Sequence, residues 1–244
     1  MRTLAGYIFT PIYYFFFGLL LGVFHPIQVL SWHLSGYEAH KKSVCILNHW
    51  LVWIMVVLGA KVRFKGLKQL PTNRPLIVVA NHQSFFDIQA LVYAFTPWHP
   101  KFVSKIELSR NIPSISYNLR RSGSALIDRS NGSQSIREII RLGKLIQANN
   151  YAACIFPEGT RSRNGQVKPF QEAGIKTLLK TSPSALIVPF VIDGNSELMK
   201  KGYFPLQFGT SLNYTALTPI EPKGREAEDI VAECEQRIKE ALGQ

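Results

Sequence analysis

The sequence predicts an α/β fold, a sheet flanked by helices, behind an N-terminal hydrophobic two-helix hairpin. Three observations predict it. From Lys61 onward, short apolar runs of strand length alternate with amphipathic stretches of helix length. Before that point the chain carries no formal charge between Arg2 and Glu38, and none again from Ser43 to Ala60. At 244 residues, 46% hydrophobic and 18% charged, the chain is long enough for one α/β domain plus an appendage and too apolar for disorder. The division is therefore residues 1–60 for the hairpin and 61–244 for the α/β domain.

The first apolar run is rich in aromatic residues, among them Tyr7, Phe9, Tyr13, Phe15, Phe16, Phe17 and Trp32, and the second holds Trp50 and Trp53. A spanning helix needs about 20 apolar residues. Pro11 and the His25-Pro26 pair interrupt the first run, and Asn48 and His49 sit inside the second. A cleaved signal peptide fits poorly, because the run is too long and no small-residue cleavage site follows. The expectation is membrane attachment by a hairpin dipping into one leaflet, with Trp and Tyr at headgroup level.

In the domain, Leu76–Ala80 reads as a buried strand, Ser84 to Phe95 as a helix stopped by Pro97, and Lys101–Ser104 and Ser124–Ile127 as strands. Ser135-x-x-Glu138 reads as a capping box opening a helix with Ile136, Ile139, Ile140 and Leu145 on one face. Tyr151–Phe156 is a strand, Gln171–Lys180 a helix, and Leu186–Ile192 a buried strand. Residues 206–217 add a strand, and Glu226–Leu242 closes the chain as an amphipathic helix with Ile230, Cys234 and Ile238 in register.

The net charge is +12, and its distribution is uneven: net +2 over residues 1–60, +13 over 61–183 and −3 over 184–244. The middle of the chain is thus suited to anions such as phosphate groups or an anionic membrane surface. Three scattered cysteines, Cys45, Cys154 and Cys234, offer neither a disulfide framework nor a zinc site. No RNA-binding signature or helix-turn-helix pattern accompanies the charge, which argues against a nucleic-acid partner.

Ligands of α/β sheets bind beyond the carboxyl ends of the strands, and polar clusters lie at those ends. Asn81-His82-Gln83-Ser84-Phe85-Phe86-Asp87 follows the strand ending at Ala80. If His82 sits in the turn and folds back on the helix start, Asp87 can hold one imidazole nitrogen and leave the other as a base. Phe156-Pro157-Glu158-Gly159-Thr160-Arg161-Ser162 is a charged, glycine-bearing turn. Gly159 permits a positive φ and Arg161 offers a planar fork for phosphate oxygens. Arg129, after Asp128, joins Arg161 or bridges a carboxylate, and Lys105 is a further candidate cation. No covalent nucleophile stands out, since Cys154 lies in a buried strand and Ser84 lacks a G-x-S-x-G elbow. His82 and Asp87 lack the further partners a metal site needs.

These motifs resemble the glycerolipid acyltransferase family, in particular its 1-acyl-sn-glycerol-3-phosphate (lysophosphatidic acid) acyltransferases. The likeness covers about residues 63–220: Asn81 to Asp87 match the NHxSxxD block, Gly123 to Arg129 the G-x-x-x-I-D-R block, Phe156 to Ser162 the FPEGTRS block, and Ile187-Val188-Pro189-Phe190 the apolar block. The resemblance implies a mixed sheet, with His82 as base and Asp87 as its orienting partner. It implies that Arg129, Glu158, Gly159, Thr160 and Arg161 bind glycerol phosphate, with Lys105 assisting. It further implies an acyl-CoA or acyl-carrier protein co-substrate, no cofactor, and a place on the cytoplasmic face of a membrane. Two departures stand out. Ala125 is small where a larger residue is common, and Phe170-Gln171-Glu172-Ala173-Gly174 lacks a lysine and inverts Gly and Ala. Acceptors such as glycerol 3-phosphate, a lysophospholipid or an amino-acid lipid remain alternatives, as does a non-enzymatic basic membrane-surface protein.

Overall fold

The structure, a computed structural model, describes residues 2–244. It begins with α1 (Arg2–Trp53), broken into two arms at Gly36, whose φ of 74° lets the chain reverse. The arms fold back on one another, Trp32 packing edge-on against Tyr37 and His40. Helical structure runs through both Pro11 and Pro26, contrary to the interruptions read from the sequence. Pro26 cannot donate to the preceding turn; one residue before the carbonyl it leaves free, Ser114 Oγ donates to the Leu21 carbonyl at 2.9 Å and ties that turn to the domain.

After the hairpin come β1 (Lys61–Lys65), β2 (Leu76–Ala80), α2 (Asp87–Ala94), β3 (Lys101–Lys105), α3 (Ile115–Arg121), β4 (Ala125–Ile127), α4 (Gly132–Asn149) and β5 (Ala152–Ile155). They are followed by α5 (Glu172–Thr181), β6 (Leu186–Asp193), the short α6 (Asn195–Leu198), β7 (Ser211–Ala216) and α7 (Ala227–Leu242). The sheet order is β1-β7-β6-β2-β5-β3-β4. The block from β6 to β4 is parallel, β7 runs antiparallel to β6, and β1 is parallel to β7, giving a mixed sheet.

β2 lies at the centre and is buried on both faces. Leu76, Val78 and Ala80 face α1 and α2, while Ile77 and Val79 face α4, α5 and α7. That alternation follows from the two-residue period of a strand, and each fully buried Leu, Ile or Val adds about 1.5–3 kcal/mol. Gly174 lets α5 approach β5, since a Cβ there would lie 2.6 Å from Ile155 Cδ1.

Several elements depart from the sequence reading, α3 and α6 being absent from it. α4 starts at Gly132, with Asn131 as its cap accepting from the Gln134 amide at 2.9 Å. The expected capping-box serine, Ser135, instead donates to the Asp128 carbonyl, and Glu138 pairs with Arg141. An asparagine acceptor three residues before Gln134 satisfies the orphan amide first. β1 is absent from the sequence reading, its apolar positions being just Val62 and Phe64 between exposed Lys61, Arg63 and Lys65.

The first arm of α1 lies across the loops at the carboxyl ends of the strands. Tyr13 is fully buried against Phe86, Phe17 meets Phe85 edge-on, and Thr10 Oγ1 accepts from the Leu206 amide. The opposite side of the arm, with Leu4, Ile8, Phe15, Leu19, Val23, Leu30 and Leu34, is exposed and apolar, Leu34 reaching 79% exposure.

Candidate active site

The site forms where β2 and β5, paired in parallel, release their chains at the same edge. β2 ends at Ala80, and the backbone then peels away from β6. Asn81 continues the ladder with its side chain, which donates to the Ile192 carbonyl and accepts from the Ile192 amide, both at 2.8 Å. His82 follows in the turn, and α2 begins only at Asp87, three residues later than the sequence reading.

The delay has a cause. The Gln83 and Ser84 amides point at Asp87 Oδ2, at 2.7 and 3.0 Å, so the carboxylate folds the turn back on itself. His82 Nδ1 joins the same oxygen at 2.7 Å. Ser84 Oγ donates to Oδ1 at 3.0 Å and accepts from the Phe86 amide. Asp87 is fully buried, and every neighbour it has is a donor. With Nδ1 committed to an anionic acceptor, Nε2 is the imidazole nitrogen left for chemistry. The His82 ring also stacks on Phe156, with centroids 4.1 Å apart and 19° between planes, which fixes its tilt.

β5 delivers the second cluster. Gly159 adopts a φ of 69° and its amide closes a turn onto the Phe156 carbonyl at 3.1 Å, with open space where a Cβ would stand. Glu158 is buried and turns inward: Oε1 accepts from the His82 amide at 2.7 Å and Oε2 from the Lys168 amide at 3.2 Å. Burial raises its carboxyl above the ordinary value, against the lowering effect of those two amides. The Ser162 amide donates to the His82 carbonyl at 2.7 Å. Arg161, between them, is half-buried and reaches the Tyr203 hydroxyl at 3.3 Å. Thr160 Oγ1 accepts from Lys168 Nζ at 2.9 Å, and the same ammonium donates to the Arg161 carbonyl.

His82, Asp87, Glu158, Gly159, Thr160 and Arg161 are thus one connected cluster. Lys105 and Arg129 are exposed at the same edge but farther along the sheet. At about 4.8 Å per strand they stand roughly 10 and 14 Å from β2. Asp128 engages the Ser130 amide and hydroxyl, at 2.9 and 2.6 Å, and not Arg129. The side chains that could act as nucleophiles are occupied or sealed: Ser84 is held by Asp87, and Cys154 is fully buried with its thiol pushed far up by burial. Phe156, quoted in the sequence motif without a role of its own, belongs to the cluster, and so do Lys168 and Asn195, which are absent from the sequence reading. Lys168 carried a legible signal, a cation six residues past the Glu158–Ser162 turn; Asn195 carried none.

A small enclosed cavity of about 30 Å³ lies at the other end of β3, under the second arm of α1. It is lined by Tyr37, Lys41, His99 and Lys101, and Lys101 Nζ donates to the Tyr37 hydroxyl, which also meets His99 Nε2 at 2.6 Å. Lys101 is fully buried without a carboxylate, and burial with Lys41 nearby lowers its pKa to about 7.

Comparison with known proteins places this geometry. A sheep protein named 1-acyl-sn-glycerol-3-phosphate acyltransferase alpha is 26% identical over 78% of this chain. An Arabidopsis thaliana protein named 1-acyl-sn-glycerol-3-phosphate acyltransferase LPAT1, chloroplastic, is 27% identical over 75% of it. The chain spans 65% and 49% of the lengths of these two relatives. The crystal structure of the 1-acyl-sn-glycerophosphate (LPA) acyltransferase PlsC from Thermotoga maritima superposes with a TM-score of 0.78 at 25% identity, covering 100% of this chain and 97% of that one. The family model described as Acyltransferase matches residues 61–193. That interval runs from the first residue of β1 to the last of β6 and takes in the whole His82–Ser162 cluster, more than half of the chain, so the chain belongs to the acyltransferase family.

Proposed function

We propose that the chain transfers an acyl group from a thioester to the sn-2 hydroxyl of a 1-acyl-glycerol 3-phosphate, producing phosphatidic acid. One observation carries the reading: the imidazole fixed on Asp87 is bonded through its own backbone to the turn that bears Arg161. A base for an alcohol and a guanidinium for a phosphate therefore form a single rigid unit.

In this mechanism Arg161, with Lys168 beside it and Lys105 and Arg129 at the rim, receives the phosphate. The acceptor hydroxyl gives its proton to His82 Nε2 as its oxygen attacks the thioester carbonyl. The carbon–sulfur bond then breaks, and the thiolate takes the proton back from the imidazolium. Asp87 stays ionised and holds the ring in the required tautomer. General-base assistance is worth about 10²–10⁴ in rate, and alignment of the two lipids adds to it. The step balances with the two substrates alone, the donor being acyl-CoA or an acyl-carrier protein. The names of the sheep, Arabidopsis and Thermotoga relatives support this acceptor.

The hairpin supports membrane attachment, embedded in one leaflet; the cytoplasmic face is part of the same proposal. One side of its first arm is committed to the domain and the other is a continuous apolar surface. That disposition suits a helix lying in the interface better than one crossing it. The test is incubation of the membrane-bound protein with lysophosphatidic acid and a labelled acyl thioester. Labelled phosphatidic acid is expected. Equal labelling of a monoacylglycerol lacking phosphate would overturn the acceptor assignment.

A further inference from the structure

Asp87 receives one contact from outside its own turn. Asn195 Nδ2 donates to Oδ1 at 2.6 Å, and Asn195 is completely buried. Its position is set by the backbone before it. Gly194 has a φ of 92°, and a Cβ there would lie 2.0 Å from the Ser211 carbonyl, so only glycine lets the end of β6 press against β7 and turn Asn195 inward. On its other side, Asn195 Oδ1 accepts from the Tyr214 hydroxyl at 2.9 Å. Tyr214 is buried, its ring stacked on Phe64 with centroids 5.0 Å apart, and burial beside Asp87 keeps its hydroxyl protonated.

The amide is therefore oriented from both ends. The carboxylate accepts only, and so demands the NH₂ group; the phenol proton demands the oxygen. A flipped amide would face oxygen to carboxylate on one side and lose the phenol bond on the other.

We propose that Asn195, oriented by Tyr214, is the positioning residue for the Asp87–His82 pair. It clamps the carboxylate in the plane that receives His82 Nδ1 and draws off part of its charge. This rests on the base role assigned to His82 above. Neither residue touches the reacting atoms; both act through Asp87. The titratable groups around the pair are Glu158, Arg161 and Lys168 on the turn after β5, Tyr214 on β7, and Tyr13 on α1, packed against Phe86.

The experiment compares the full chain with Asn195→Ala and Tyr214→Phe by two readouts. The first is steady-state acyl transfer to lysophosphatidic acid across pH. The second is the ¹⁵N resonance of the His82 imidazole in detergent, which reports tautomer and titration without turnover. With Asn195→Ala, kcat falls 10- to 100-fold while both KM values stay within twofold. The less neutralised carboxylate favours the imidazolium, so the His82 titration and the acid limb of kcat/KM both move upward by about half a pH unit. Tyr214→Phe moves both in the same direction by less, with a three- to tenfold loss of kcat. A His82 titration and Nδ1–H tautomer identical to wild type in Asn195→Ala overturn the proposal, whatever happens to the rate. If instead His82→Ala retains turnover, the base assignment fails, and the imidazole resonances still decide whether Asn195 orients the pair.

Discussion

The backbone amide of His82 donates to Glu158 Oε1 at 2.7 Å, so the residue proposed as the base and the turn that carries Arg161 share a buried carboxylate. Glu158 thereby acts as a brace between β2 and β5 at the point where both chains leave the sheet. Its second oxygen holds Lys168, which in turn reaches Thr160 and the Arg161 carbonyl.

Replacing Glu158 by Gln tests the brace. An amide can present only one acceptor oxygen to two backbone donors, so one N–H is left unpaired in a buried place, at about 1–3 kcal/mol. Chemical denaturation should show that loss near neutral pH. The wild type adds a pH signature. Because burial holds the Glu158 carboxyl above its ordinary value of 4.5, the folded state binds more proton there than the unfolded one. Stability from this group is full below that value and is lost as pH rises through the raised one. The Gln variant should lack this decline.

Removal of the proposed base is the sharpest probe of the chemistry. His82→Ala should lower kcat by about 10²–10⁴ with the melting temperature nearly unchanged, since the ring is partly exposed. Asp87→Asn should lose comparable activity and also stability, because its new NH₂ group would face a ring of donors. Retained turnover in either variant removes the pair from the mechanism.

Arg161→Ala should raise the KM for a phosphorylated acceptor tenfold or more and leave the KM for the thioester unchanged. Arg161→Lys should recover only part of the loss, because an ammonium lacks the planar fork. An acceptor KM equal to wild type would remove the phosphate from this turn.

Lys101 yields a stability prediction far from the site. Its folded pKa of about 7 lies below the ordinary 10.5. Between those values the unfolded chain holds a proton that the folded one has shed, so stability rises with pH across that window. Lys101→Met should flatten the rise and stabilise the protein at pH 7 and below. Denaturant midpoints at pH 6, 7, 8 and 9 for the two proteins measure it, and parallel slopes would refute it.

Much of this was legible in the chain because the signals are local. The buried strands at Leu76 and Leu186 are unbroken apolar runs, and the His82-to-Asp87 turn could be inferred from where a strand must end. Distance along the sheet was less legible: Lys105 and Arg129 share the edge, but strand order alone separates them from His82. Asn195 was invisible, because its role depends on Gly194 meeting the Ser211 carbonyl and on a phenol 19 residues away. Pro11 and Pro26 misled for a related reason. A proline weakens a helix in isolation, whereas here the arm is packed along the domain through Tyr13, Leu21 and Thr10.

The first arm of α1 has a practical corollary. Its Tyr13 and Leu21 belong to the same apolar interior as Phe86, Phe95 and Phe190. Trimming the chain ahead of Lys61 would not release a water-soluble catalyst but would strip the roof from the fold, baring Phe86 and the underside of the histidine turn. A shortened chain that aims to stay active must therefore keep the first arm of α1 in place.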